Sequence, residues 1–220
     1  MGILYIVATP IGNMEDISFR AVKVLRSVDL ILCEDTRRTG LLLNHLNIKA
    51  KLLPYYDEIE NKRIPEVIQL LEEGKTVAIV SDAGTPLISD PGFRLVRECI
   101  KRGIRVESIP GPTAFIAALT SSGQPTDKFL FLGYPPEKQS QRLKLFSHLY
   151  PCTTVFYCAP HKLNRTLIDL KSVLGDIDIT IAREITKIHE EIWRGKIADA
   201  ITTFDNPQGE FVLILNILQA

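Results

Sequence analysis

The sequence lacks most of the signatures that assign a protein quickly. Its four cysteines, Cys33, Cys99, Cys152 and Cys158, form no CxxC pair and have no histidine at zinc-finger spacing. That excludes a zinc module or disulfide framework and reads as scattered reduced thiols in a cytoplasmic setting. His45, His148, His161 and His189 lie far apart, so no metal-ligand spacing presents itself and no metal is expected. GxGxxG is absent after the first apolar run, as are GxxxxGK[ST], HExxH and GxSxG, which disfavours a nicotinamide dehydrogenase, a P-loop hydrolase, a zincin and a serine hydrolase. An excess of one charge is missing too. Lys+Arg and Asp+Glu number 26 each, leaving local basic patches but no bulk field for a polyanion. The opening MGILYIVATP has no basic region ahead of an apolar run too short to cross a bilayer, and Ile6 stands where a myristoylation motif wants Ser or Thr. No membrane anchor, internal repeat or low-complexity segment is expected.

What is present is a chain of 220 residues, 45% hydrophobic, with ample material for a core. It alternates apolar runs with amphipathic stretches. Ile3 to Thr9 reads as a buried strand and Pro10 to Asn13 as a turn, after which Asp16 caps a helix carrying Ile17, Ala21, Val22, Leu25 and Val28 on one face. Asp29 to Glu34 returns as a strand. The pattern continues with a helix at Arg37 to Leu46, extended chain at Lys51 to Tyr56, a helix at Asn61 to Glu73, a strand at Thr76 to Ser81, a helix at Phe93 to Arg102, a strand at Arg105 to Ile109 and a helix from Pro110 through Ser122. Five strands alternating with helices predict an α/β domain with a largely parallel sheet over residues 1–120. The polar stretch Ser121 to Lys128 reads as a linker to a second α/β domain over 121–220, with strands at Phe129 to Tyr134, Thr153 to Cys158, Ile177 to Arg183, Ile188 to Trp193 and Glu210 to Ile217.

Val80 to Phe93, VSDAGTPLISDPGF, is longer in turn chemistry than a simple strand-to-helix connection needs, and reads as a binding loop. Thr9 to Asn13 and Pro110 to Ala114 also follow strands. If those strands are parallel, all three loops share one edge of the sheet and form a crevice built from backbone. Gly12, Gly84 and Gly111 then admit a ligand close to the main chain. Two charged clusters stand at strand ends: Glu34 to Arg38 (EDTRR), and Arg183 to Lys187 with His189 and Glu190 beyond. Each is either a solvated strand end or part of a site, in which a carboxylate accepts a proton and Arg37 clamps a phosphate.

TPIGN at Thr9 to Asn13, CEDTRR at Cys33 to Arg38, SDAGTPLISDPG at Ser81 to Gly92, PGPTA at Pro110 to Ala114 and REITKIHEE at Arg183 to Glu191 resemble the tetrapyrrole-methylase superfamily. The motifs run in its order from Leu4 to about Leu215, and the likeness is greatest to its ribosomal branch, which methylates a cytidine 2′-hydroxyl in 16S rRNA. The resemblance implies a homodimeric S-adenosylmethionine enzyme of two α/β domains, with the cofactor in the cleft between them and 16S rRNA of the small ribosomal subunit as partner. Carried over by motif, Pro10, Ile11, Gly12, Asp82, Ala83, Gly84, Thr85, Ile88, Thr113 and Ala114 line the cofactor, joined by position by Ala159 and Ala182. Glu34 or Asp35 meets the nucleophilic hydroxyl and Arg37 the RNA backbone, with Glu184 and Lys187 as second choices. With zero net charge, holding RNA falls to local residues such as Arg37, Arg38, Lys138, Arg142 and Lys144. The alternatives are a methyltransferase of the same superfamily acting on a porphyrinoid or a protein side chain, and a non-catalytic ribosome-binding module of the same fold.

Overall fold

The computed structural model describes residues 1–217; residues 218–220 of the expected second domain lie outside them. The chain forms two compact units, the first ending at Thr113 and the second beginning at Ala114. No helix among the described residues is long and apolar enough to cross a membrane.

In the first unit, β1 (Ile3–Val7), β2 (Leu30–Cys33), β3 (Leu52–Pro54), β4 (Val77–Ile79) and β5 (Arg105–Ile109) form one sheet in the order β3-β2-β4-β1-β5. Every pairing is parallel. Helices α1 (Phe19–Ser27), α2 (Thr36–His45), α3 (Asp57–Glu72) and α4 (Phe93–Lys101) connect the strands. Because side chains alternate along a strand, each short apolar run supplies both faces. Leu4, Leu32, Val77 and Ile79 pack with Val67 and Leu71 of α3 and Leu95 of α4. Val7, Ile31, Cys33 and Ala78 pack with Ala21 and Leu25 of α1 and Leu43 of α2. Burying each such aliphatic side chain contributes about 1.5–3 kcal/mol before entropy is counted.

Two helix starts differ from the sequence reading. Asp16 lies in a 3-10 turn, Met14–Asp16, and Ser18 caps α1 instead, its hydroxyl accepting the Ala21 N–H at 3.1 Å. Helix α3 begins at Asp57 rather than Asn61. Its start has no side-chain cap to advertise it, but Asp57, Glu58 and Glu60 place negative charge in the first turn, where the helix dipole favours it.

The second unit is mixed. Strands β6 (Phe129–Phe131), β7 (Thr153–Cys158), β8 (Asp178–Arg183), β9 (Glu191–Lys196) and β10 (Phe211–Asn216) lie in the order β6-β7-β10-β8-β9. β6 runs parallel to β7, and the remaining pairs are antiparallel. Phe156, Ile181 and Leu213 face α6 (Gln139–Phe146), α7 (Leu163–Leu174) and α8 (Ile197–Thr203), while Val155, Ala182, Val212 and Ile214 face α5 (Ala114–Ser122). Ala118 and Leu119 of α5 are buried on this sheet, and the Ser122 carbonyl accepts from Arg194 Nε at 2.9 Å and the Thr180 hydroxyl at 3.3 Å. The polar stretch from Ser121 to Lys128 is therefore internal to the second unit. β9 begins at Glu191, not Ile188, because a turn held by the Thr186 N–H on Glu190 Oε2 at 2.6 Å occupies the residues before it.

Candidate functional site

β4, β1 and β5 are parallel neighbours, so the loops that follow them emerge side by side at the carboxyl edge of the first sheet. Backbone bonds weld them together. Thr9 N–H donates to the Gly84 carbonyl at 2.9 Å and Gly84 N–H returns to the Thr9 carbonyl at 3.1 Å. The buried Thr9 hydroxyl donates to the Ser81 carbonyl at 3.2 Å. Thr85 donates its hydroxyl to the Pro112 carbonyl at 3.0 Å, with the Thr113 hydroxyl 2.6 Å away.

Gly84 has φ +87°, a backbone state that side chains rarely adopt, and a Cβ there would sit 3.3 Å from Ile11 Cγ2. Gly111 is different. Its Cβ would fall 2.9 Å from that of Ala8, so this glycine lets the third loop close onto the end of β1 rather than onto a ligand. Farther along the second loop, Leu87 and Ser89 take φ of 72° and 66° without being glycine. Such residues persist only where their surroundings over-determine them. Here the clamp is Glu60, 3% exposed, whose Oε1 accepts the Gly92 N–H at 3.1 Å and the Tyr55 hydroxyl at 3.0 Å.

β2 lies on the other side of β4, which brings the EDTRR stretch beside the second loop. The two strand ends are tied by the Asp35 N–H, which donates to Asp82 Oδ1 at 3.1 Å. Burial, reinforced by Asp90 and Asp82, pushes the Glu34 carboxyl up to about 7. Burial likewise raises Asp90 to about 6, against the lowering effect of the Ser81 hydroxyl. Asp35 goes the opposite way. Arg37 donates to it from Nε at 3.1 Å and Nη2 at 2.8 Å, and Asp35 also caps α2 through the Arg37 N–H at 2.8 Å. The Arg37 side chain and then its backbone N–H hold the Asp35 carboxyl down at about 2. The Arg37 side chain is 89% exposed, and Arg38 reaches Asp82 at 3.5 Å.

The first unit thus brings to one edge Pro10, Ile11 and Gly12 of the first loop, Glu34, Asp35 and Arg37 of the β2 end, Asp82, Ala83, Gly84, Thr85 and Ile88 of the second loop, and Thr113. Ala114 opens α5 and belongs to the second unit, as do Ala159, half-buried where β7 ends, and Ala182, fully buried in β8 against α5. Glu184 and Lys187 pair at 2.8 Å, with Lys187 also 3.0 Å from Glu210, tying the turn after β8 to the start of β10. Arg142, expected to face RNA, is 4% exposed and paired with Asp169 in the interior. Sequence reasoning missed Glu60 and the Thr9 hydroxyl. Nothing in the charged run DEIEN marks Glu60 as buried, whereas Thr9, polar at the end of an apolar strand, carried a signal.

Residues 3–201 match the family model of tetrapyrrole (corrin/porphyrin) methylases. The chain is 50% identical to the ribosomal RNA small subunit methyltransferase I of Thermotoga maritima, over 98% of this chain and 99% of that one. It is 44% identical to the protein of that name from Escherichia coli O157:H7, over 97% and 77% of the two chains. Among solved structures, uroporphyrin-III-C-methyltransferase from Thermus thermophilus superposes with TM-score 0.68 at 21% identity, covering 99% of this chain and 96% of that one. The cobalt precorrin-4 methyltransferase CbiF does so with TM-score 0.69 at 19% identity, over 96% and 94%. These two likenesses bear on fold alone.

Proposed function

Because the chain belongs to the tetrapyrrole (corrin/porphyrin) methylase family, we propose that it transfers a methyl group from S-adenosylmethionine to the ribose 2′-hydroxyl of a cytidine in the 16S rRNA of the small ribosomal subunit. The observation that carries this reading is likeness at 50% identity, over essentially the whole of both chains, to a small-subunit rRNA methyltransferase. A porphyrinoid substrate has behind it the broad family description and fold-level likeness at 19–21% identity, both less specific than that relative.

The residues at the sheet edge suit the donor. Ile88 is exposed and offers apolar surface, the Thr85 and Thr113 hydroxyls with the Asp82 carboxylate offer polar contacts, and Gly84, whose Cβ would meet Ile11, lets the first and second loops close against each other. S-adenosylmethionine supplies an activated methyl on a sulfonium centre. What the chain must add is alignment, exclusion of water and removal of a weakly acidic proton. Glu34 is the base in this proposal. A carboxyl at about 7 is substantially ionised at neutral pH yet far more basic than an ordinary one. Asp35 is too weak a base and is engaged by Arg37; its part is to hold that guanidinium at the rim for an RNA phosphate. The motif resemblance further supports a homodimer, and an rRNA substrate supports a cytoplasmic enzyme.

The test incubates purified protein and methyl-labelled S-adenosylmethionine with undermethylated small subunits, and in parallel with a porphyrinoid. Label in the rRNA is expected. Label in the porphyrinoid or in ribosomal protein, with none in RNA, overturns the reading.

A further inference from the structure

β6 and β7 are parallel neighbours, so the loops that follow them leave the second sheet at the same edge, and the first of these loops is tied to β7 by the Tyr157 N–H on the Gly133 carbonyl at 2.9 Å. Such an edge is where ligands of α/β sheets gather. The first loop carries Glu137 and Lys138. The second carries His161 and Lys162, with Arg165 one turn into α7. Lys162 and Arg165 both turn onto the Glu137 carboxylate, Lys162 on Oε1 and Arg165 on Oε2 at 2.9 Å. One carboxylate thus occupies two cations, and its side chain stays 66% exposed. Lys138 and His161 flank the pair and are exposed.

The carboxylate is placed there by a buried device. Arg142 donates from Nη1 to the Pro136 carbonyl at 2.9 Å and the Glu137 carbonyl at 3.1 Å, while its Nε donates to Asp169 Oδ2 at 2.7 Å. Arg142 and Asp169 are 4% and 2% exposed, and Gln139 adds a bond to Asp169 at 2.9 Å. A buried, fully engaged ion pair fixes backbone geometry firmly, since breaking it leaves an uncompensated charge. The loop is therefore held with Glu137 aimed at Lys162 and Arg165. Lys187 at the end of β8 offers the contrast, one cation between two carboxylates with no positive charge left over.

We propose that Lys162 and Arg165 form a seat for the phosphodiester backbone of the RNA substrate, and that Glu137 is a displaceable stand-in for the phosphate. This inference rests on the rRNA reading above. An exposed carboxylate between two cations is held weakly in water, because solvent screens it and ordering three long side chains costs entropy. A phosphodiester offers the same two cations a matching pair of charged oxygens, and the counterions the RNA releases when it binds favour the exchange. Glu137 then sets a threshold. A single stray phosphate gains little over it, whereas an RNA already engaged elsewhere displaces it.

The test measures binding of undermethylated small subunits between 50 and 200 mM salt for wild type, Glu137→Gln, Lys162→Gln and Arg165→Gln, with calorimetry of S-adenosylmethionine alongside. Glu137→Gln is expected to bind subunits about threefold tighter, and each cation variant about threefold weaker with a salt slope shallower by about one. Donor affinity is expected to be the same in all four proteins. Weaker or unchanged subunit binding by Glu137→Gln overturns the proposal, as does unchanged binding by both cation variants. A loss of donor affinity in the cation variants with subunit binding intact assigns the seat to the donor and also overturns it. If the wild-type protein methylates no subunit, the rRNA reading fails; if it methylates and these variants bind alike, this inference fails alone.

Discussion

Glu34 and Asp35 are adjacent carboxylates driven in opposite directions by their surroundings. Folding binds the Glu34 proton more tightly than the unfolded chain does, shifting it from the ordinary 4.5 to about 7. The stability attributable to this group is accordingly complete below about pH 4.5 and is lost as the pH climbs through 7. Glu34→Gln should melt above wild type at pH 8 and level with it at pH 4, read by calorimetry or circular dichroism. As the proposed base, Glu34 must be ionised to act. Wild-type kcat/KM for the acceptor should fall about tenfold per pH unit below 7, and the glutamine variant should lose nearly all turnover at unchanged donor affinity. Asp35→Ala removes a helix cap, so its signature is a melting temperature lower by about 2–4 °C together with weaker RNA binding as Arg37 is released.

At the scale of elements, the second loop depends on an anchor outside it. Glu60→Ala leaves the Gly92 N–H and the Tyr55 hydroxyl unpaired in the interior, for a cost of about 2–4 kcal/mol in urea unfolding, while Glu60→Gln keeps an acceptor and should lose less than half of that. Gly84→Val combines a strained φ of +87° with crowding against Ile11, and should reduce donor affinity more than tenfold by calorimetry as well as lower stability. The loops themselves were legible. Gly and Pro clusters directly after apolar β-branched runs have few other readings, and parallel strands put their ends on one edge. The anchor was not legible, because burial of Glu60 arises from α3 starting at Asp57 and returning over the sheet, and Tyr56 carries no capping hydrogen bond at that start. The interior position of Arg142 was hidden for a similar reason: its partner Asp169 is 27 residues away on another helix. Nor does the sequence separate Glu34 from Asp35, since the difference between them is made by burial, Asp90 and Arg37.

At the scale of the molecule, the two sheets are built differently. The first is parallel and buried on both faces, which concentrates strand ends, and with them the family's loops, at one edge. The second is mixed, with a parallel pair whose ends carry Glu137, Lys162 and Arg165. With 26 charges of each sign there is no bulk field for a polyanion, so the proposed RNA reading relies on cations presented locally, at Arg37 and at the proposed Glu137 seat. The central claim is that the methyl group goes to a ribose oxygen of 16S rRNA. Its most direct test is mapping, at nucleotide resolution, the ribose methylation of undermethylated subunits before and after treatment with the purified protein and S-adenosylmethionine. The account predicts one new 2′-O-methyl group, on a cytidine, absent when Glu34→Gln replaces the wild type. A methyl group on a base, or none on the RNA, would contradict it.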